Sequence, residues 1–215
     1  MKLFLDSANV QDILDRYSSG LIAGVTTNPT LINKNGEMPM LVYRKLIEAG
    51  VNDISMEVSG DTEEELFYNA MGHAKEYPKE CTIKLPCSMA GLRACRRLSD
   101  VSIRTNVTLV FSPSQAVLAA LAGATYVSPF VGRVDDNSFG GLCLVKDIAN
   151  TFKNHNVKTQ ILAASIRNVR DVGRAFEYGA HICTIPTSIF DNMAKHVLTD
   201  KGIEQFNKDF REILT

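Results

Sequence analysis

Short apolar runs and longer amphipathic stretches alternate from one end of this chain to the other. The runs are Leu3–Asp6, Ile22–Thr26, Asp53–Glu57, Thr82–Leu85, Ile103–Thr108, Tyr126–Phe130, Gln160–Ala164 and His181–Ile185. Most are β-branched or apolar at successive positions and about four to six residues long, the pattern of strands covered on both faces. Between them apolar residues recur at helical spacing. Leu66, Ala70 and Ala74 share one face, and Thr62 followed by Glu65 predicts a capping box in front of them. Ser112-Pro113 predicts an N-cap with proline at the first helical position. Gly50, Gly123 and Gly179 stand where helices should stop. A last apolar stripe, Ile203, Phe206, Phe210, Ile213 and Leu214, has helical spacing as well.

Eight such units in succession predict an α/β fold, a (β/α)8 TIM barrel. The expected organisation is one domain over 1–215, with a C-terminal helix at 203–214. An open doubly wound sheet is the alternative, weakened because neither a GxGxxG fingerprint nor a P-loop is present. Arg133–Gly141 is the main irregular stretch, and its glycines leave it free to move.

Composition narrows the partners. With 215 residues, 45% of them hydrophobic, the chain can bury one sizeable core. Its 23 basic and 24 acidic residues nearly cancel, which argues against nucleic acid or a membrane surface as partner. Aromatics are 7% and tryptophan is absent, so base-stacking platforms are not expected either. No apolar run reaches the roughly 18 residues of a membrane span, and Met1–Asp6 reads as a strand rather than a leader. Cys81, Cys87, Cys95, Cys143 and Cys183 are odd in number and form no CxxC, which suggests reduced thiols in a cytoplasmic protein. His73, His155, His181 and His196 lack metal-ligand spacing, so no metal site is expected.

In a barrel, functional groups project from the C-terminal ends of the strands. Those ends carry Asp6, Thr26 with Asn28, Glu57, Lys84, Asn106 with Thr108, Ser128 with Phe130, Ser165 with Arg167, and Thr184. Singly, each has a plain reading. Asp6 can cap a helix starting near Val10, Asn28-Pro29 is a turn signal, Thr108 is a β-former, Glu57 is a solvated strand end, and the arginines are surface charges. Together they form a polar ring around a lysine set in an apolar run. Burial disfavours the ammonium, and a neutral amine can condense with a ketone to give an electron sink for making or breaking a carbon–carbon bond. Asp6 suits proton transfer at a hydroxyl, and Glu57 can act through a water held by Thr108. Asn and Ser side chains orient sugar hydroxyls, while Arg133 and Arg167 with Ser165 suit a phosphate.

The segments Phe4-Leu5-Asp6-Ser7-Ala8, Gly24-Val25-Thr26-Thr27-Asn28-Pro29, Ile83-Lys84-Leu85-Pro86, Asn106-Val107-Thr108-Leu109-Val110-Phe111-Ser112 and Ala163-Ala164-Ser165-Ile166-Arg167 resemble, in order and over nearly the whole chain, the transaldolase family. The length is similar to the small subfamily that also contains fructose-6-phosphate aldolase. The resemblance implies a barrel with its Schiff-base lysine at Lys84 on strand 4, Asp6 as acid and base, and Glu57 with Thr108 holding the catalytic water. It also implies that Asn28, Asn106 and Ser128 contact a dihydroxyacetone unit, with Thr26 beside them, and that Arg133, Ser165 and Arg167 hold the phosphate. It implies sugar phosphate substrates, no cofactor, and a homo-oligomer, pentameric or decameric, with the C-terminal helix reaching a neighbour.

Glu57 and Phe130 resemble true transaldolases, since the aldolases of the subfamily carry glutamine and tyrosine there. The expected activity is therefore transfer of dihydroxyacetone from sedoheptulose 7-phosphate or fructose 6-phosphate to glyceraldehyde 3-phosphate or erythrose 4-phosphate, as in the pentose phosphate pathway. The alternatives are an aldolase releasing free dihydroxyacetone and a non-catalytic sugar-phosphate-binding barrel.

Overall fold

The structure, a computed structural model, describes residues 1–214. Eight parallel strands close into a barrel in chain order: β1 (Lys2–Asp6), β2 (Ile22–Thr26), β3 (Ile54–Glu57), β4 (Cys81–Pro86), β5 (Thr105–Val110), β6 (Tyr126–Pro129), β7 (Gln160–Ala163) and β8 (Ile182–Ile185). The helices on the outside are α1 (Val10–Tyr17), α2 (Pro29–Asn35), α3 (Pro39–Glu48), α4 (Glu63–Glu76), α5 (Met89–Asp100), α6 (Pro113–Leu121), α7 (Val131–Asp136), α8 (Gly141–Asn154), α9 (Val169–Glu177), α10 (Thr187–Met193) and α11 (Val197–Ile213). The (β/α)8 barrel expected from the strand–helix alternation is therefore the observed fold. Two details differ from the sequence expectation. The Arg133–Gly141 stretch is half helical, because α7 runs through Asp136. The last helix begins at Val197 rather than at 203.

Local chemistry explains the boundaries. Thr62 and Glu65 form the reciprocal capping box at the start of α4, and Ser112 accepts from Gln115 N in front of Pro113. Asn9, not Asp6, caps α1, which leaves the Asp6 carboxyl free of that duty. Strand β5 runs two residues past its expected end. Leu109 turns to φ 59° there, and the register with β6 shifts between Val107 and Val110. A leucine in the left-handed region is strained, and such positions cluster where a neighbour must be aimed.

Apolar side chains between strands and helices form the main core, while Phe4, Tyr126, Leu162 and Ile182 fill the barrel itself. Phe4 meets Tyr126 edge to face at 6.2 Å. Gly24 makes room for it: a Cβ there would lie 2.7 Å from the Phe4 ring. At the N-terminal end the buried Asp53 accepts from Thr82 Oγ1 at 2.8 Å, Tyr126 Oη at 2.7 Å and Arg104 Nη1 at 3.0 Å. Burial, reinforced by Asp53, raises the Tyr126 phenol above its ordinary value.

Among the described residues no helix is long and apolar enough to cross a membrane. Helix α11 buries none of its residues, and Ile203, Phe206, Phe210 and Ile213 lie exposed along it.

Candidate active site

Register alone aligns three of the expected residues. Glu57 pairs with Lys84 across β3 and β4, and Lys84 with Asn106 across β4 and β5, so the three stand in one row at the C-terminal end. Their side chains share the inner face because inward positions recur every two residues. On the adjoining strands before β3, Asp6 pairs with Thr26 across β1 and β2.

Lys84 is not isolated in apolar surroundings, as the run Ile83–Leu85 alone suggested. Its Nζ lies 2.9 Å from Glu57 Oε2 and donates to the Thr27 carbonyl at 2.9 Å, with only 7% of the side chain exposed. Thr26 Oγ1 donates to Asp6 Oδ1 at 2.8 Å and lies 2.6 Å from Thr184 Oγ1. Burial raises the Asp6 pKa above its ordinary value near 3.8, and nearby Glu57 adds to this. The Lys84 charge and the Thr26 hydroxyl pull it back. Ser128 Oγ donates to Asn106 Oδ1 at 2.6 Å, and Asn106 Nδ2 to Ser55 Oγ at 3.1 Å, which fixes which way the amide faces. The buried Thr108 hydroxyl has no protein partner.

These groups enclose a cavity of about 110 Å³. Asp6, Thr26, Asn28, Lys84, Asn106, Thr108, Ser128, Phe130, Arg133 and Ser165 line it, with Thr184, Leu162 and Ala164. Two expected residues stand apart from that lining. Glu57 reaches the site through Lys84 and faces a second cavity of about 700 Å³ beside Asn28 and Tyr43. Arg167 turns away to Asp136, which takes its Nη2 at 2.5 Å on Oδ2 and its Nη1 on Oδ1. Arg133 stays at the rim with its guanidinium 4.9 Å from the Phe130 ring centre, and Phe111 meets the same ring at 5.8 Å. Ser165 adopts φ 59°, a left-handed conformation unusual for serine that aims it at the cavity.

Thr27, Ser55 and Thr184 support the site, though no role was read for them. The first two orient Lys84 and Asn106, and Thr184 braces Thr26. Ser55 shares parity with Glu57 and Thr184 stands at a strand end, but Thr27 acts through its backbone carbonyl, which no side-chain pattern signals. Cys87, next to Pro86, is half-buried with its thiol pushed up by burial, and its Sγ lies 3.9 Å from the Gln115 carbonyl. A larger groove of about 770 Å³ runs past Gly123–Thr125 and Val157–Gln160, but no carboxylate lines it. Among the described residues no group of three or more His, Cys, Asp or Glu side chains is placed to hold a metal ion.

The arrangement joins a buried amine, two carboxylates on different sides of it, a row of hydrogen-bonding amides and hydroxyls, and one guanidinium at the rim. An amine so placed can condense with a carbonyl, and a carboxyl with a raised pKa can exchange a proton with a substrate hydroxyl.

Comparisons with known proteins point the same way. The family described as Transaldolase/Fructose-6-phosphate aldolase matches residues 3–215. A "Probable transaldolase" of Symbiobacterium thermophilum is 49% identical over 210 residues, covering 98% of this chain and 97% of that protein. A "Probable transaldolase" of Caulobacter vibrioides is 47% identical over 98% of this chain and 96% of its own length. "Probable transaldolase 2" of Bacillus cereus is 47% identical over 98% and 97%. Among solved structures, an inosine 5' monophosphate dehydrogenase from Legionella pneumophila superposes with a TM-score of 0.61 over 88% of this chain and 58% of that one. At 14% identity that likeness concerns the barrel fold alone.

Proposed function

The chain belongs to the transaldolase/fructose-6-phosphate aldolase family, and from that premise we propose that it transfers a dihydroxyacetone unit from a ketose phosphate to an aldose phosphate through a Schiff base on Lys84. The observation that carries this reading is the buried Lys84 Nζ on the cavity wall, 2.9 Å from one carboxylate and sharing that cavity with a second.

The steps follow from the placement of the groups. Glu57 takes a proton from the ammonium, and the free amine adds to C2 of sedoheptulose 7-phosphate or fructose 6-phosphate. Loss of water from the carbinolamine leaves an iminium, with Glu57 and the unpartnered Thr108 hydroxyl handling that water. Asp6 then accepts the proton of the C4 hydroxyl. The C3–C4 bond breaks, its electron pair passes to the iminium to form an enamine, and an aldose phosphate departs. The acceptor, glyceraldehyde 3-phosphate or erythrose 4-phosphate, takes the enamine carbon at its carbonyl, and Asp6 returns the proton to the new alkoxide. Water then hydrolyses the imine and frees Lys84. Asn28, Asn106 and Ser128 hold the dihydroxyacetone hydroxyls, while Arg133, Ser165 and Arg167 take the phosphate. No metal or organic cofactor enters these steps.

Transfer is favoured over release because Phe130, clamped between Arg133 and Phe111, brings no hydroxyl to the cavity to assist hydrolysis of the three-carbon intermediate. We place the reaction in the cytoplasm, consistent with five free cysteines. The exposed apolar stripe of α11 supports assembly with further copies of the chain.

Borohydride added with fructose 6-phosphate should trap a covalent adduct on Lys84, and Lys84→Ala should abolish it with a loss of ~10⁴-fold or more in activity. An adduct on another lysine would sink the mechanism. Without an acceptor, fructose 6-phosphate should yield no sustained free dihydroxyacetone; steady release would identify an aldolase instead.

A further inference from the structure

Arg133 and Asp136 are three residues apart on α7, a spacing that puts both on one face of a helix. Arg167 reaches the same helix from beyond β7. Its side chain crosses Gly132, where a Cβ would lie 2.6 Å from Arg167 Nε and 2.4 Å from the Ser165 carbonyl. The glycine therefore makes a groove that leads the guanidinium past the cavity rim to the end of α7. There both of its terminal nitrogens fork onto both oxygens of Asp136.

The carboxylate thus stands within the field of two arginines. Arg167 chiefly, and Arg133 in addition, hold the Asp136 carboxyl below its usual range. Asp135 acts on Arg167 through its charge alone, because its Oδ1 accepts from Gly141 N at 2.8 Å where α8 begins. A guanidinium fork presents the same geometry to a carboxylate and to a phosphate. Both partners are about half exposed, at 52% and 50%, so exchanging one anion for the other disturbs no core packing.

We propose that Asp136 competes with the substrate's phosphate for Arg167 and thereby sets how strongly the protein prefers phosphorylated over unphosphorylated ligands. This rests on the reading of Arg133, Ser165 and Arg167 as the phosphate-holding group. Asp136 lowers the affinity of every phosphate-bearing ligand by a common factor, because each must displace the same carboxylate. Ligands without a phosphate leave the pair intact and bear no such cost. Asp136 is a specificity-determining residue and takes no part in bond making.

The test is a phosphorus NMR titration of inorganic phosphate into the full-length protein, as wild type, Asp136→Asn, Arg167→Ala and the double variant. Asp136→Asn should tighten phosphate binding roughly two- to fivefold, the range for an exposed ion pair. Arg167→Ala should weaken it, and Asp136→Asn should give no gain in the Arg167→Ala background. Unchanged or weaker binding in Asp136→Asn overturns the proposal, as does phosphate binding to none of the four proteins. Asp136→Ala carries the same expected sign if the asparagine variant folds poorly by circular dichroism. The titration needs no turnover. A tightened Asp136→Asn with no adduct on Lys84 would therefore refute the transfer reaction and leave this inference standing. A trapped adduct with an indifferent Asp136→Asn would do the reverse.

Discussion

Where the chain enters β3 to β6, Asp53 accepts hydrogen bonds from Thr82, Arg104 and Tyr126. Where it leaves the same strands, Glu57 pairs with Lys84 while the neighbouring Thr108 hydroxyl has no protein partner. Each end has a carboxylate, a cation and a hydroxyl, drawn from the same part of the barrel. The entry cluster leaves neither its carboxylate nor its hydroxyls unpartnered, and such a network fixes geometry. The exit cluster keeps a buried hydroxyl without a protein partner, and Asp6 on β1, a carboxyl of raised pKa, lines the same cavity; an arrangement so incompletely satisfied is poised for chemistry. Residue type does not separate a strut from a reactive centre; completeness of hydrogen bonding does.

The comparison breaks first at Asp53. Asp53→Ala leaves Tyr126 and Thr82 without their carboxylate partner and Arg104 with only the Lys79 and Cys81 carbonyls, and should cost about 3–5 kcal/mol in urea unfolding while leaving kcat of the folded fraction unchanged. A loss of kcat without a loss of stability would erase the distinction between the two ends.

Asp6 sharpens it with the opposite sign. Its raised pKa means that the folded chain holds this proton more tightly than the unfolded chain. The group therefore favours folding below the unfolded value near 3.8, and that contribution disappears as pH rises through the higher folded value. Asp6→Asn should raise the urea midpoint at about pH 8, with the gap closing towards about pH 4. Activity should meanwhile fall about 10²–10⁴-fold. A lowered midpoint at the higher pH would make Asp6 a structural carboxylate like Asp53.

Thr108→Val is the smallest test. Removing a buried hydroxyl that bonds to no protein group should change stability by less than about 1 kcal/mol in either direction. Turnover should drop about tenfold as the water is held less well. A larger loss of stability would show the hydroxyl to be a structural group.

Much of this was legible along the chain because strand-like and helix-like periods alternate cleanly, and eight such units have few ways to close. The exit ring was legible too, since strand ends in a barrel face one way. Register was not. Glu57, Lys84 and Asn106 stand in a row through hydrogen bonding between strands, which a period of two leaves unspecified. The entry cluster escaped notice although Asp53, Thr82 and Arg104 share parity with Glu57, Lys84 and Asn106; nothing local marks polar residues at a strand's start as partners. The end of β5 was missed because a leucine with positive φ gives no warning in its neighbours. The turn of Arg167 towards Asp136 depends on a side-chain path across Gly132 that only packing defines.

The seam between β1 and β8 has a consequence for the chain during synthesis. Thr26 bonds at once to Asp6 on the first strand and Thr184 on the last, and β1 pairs with β8 as far as Leu5 and Ile185. A nascent chain carries Lys84 long before the strand that braces Thr26 has left the ribosome. The Asp6–Thr26 pair thus gains its last hydroxyl partner, Thr184, only when the eighth strand is available to shut the ring. Closing the ring and completing the line of hydrogen bonds from Thr184 through Thr26 to Asp6 are therefore a single event.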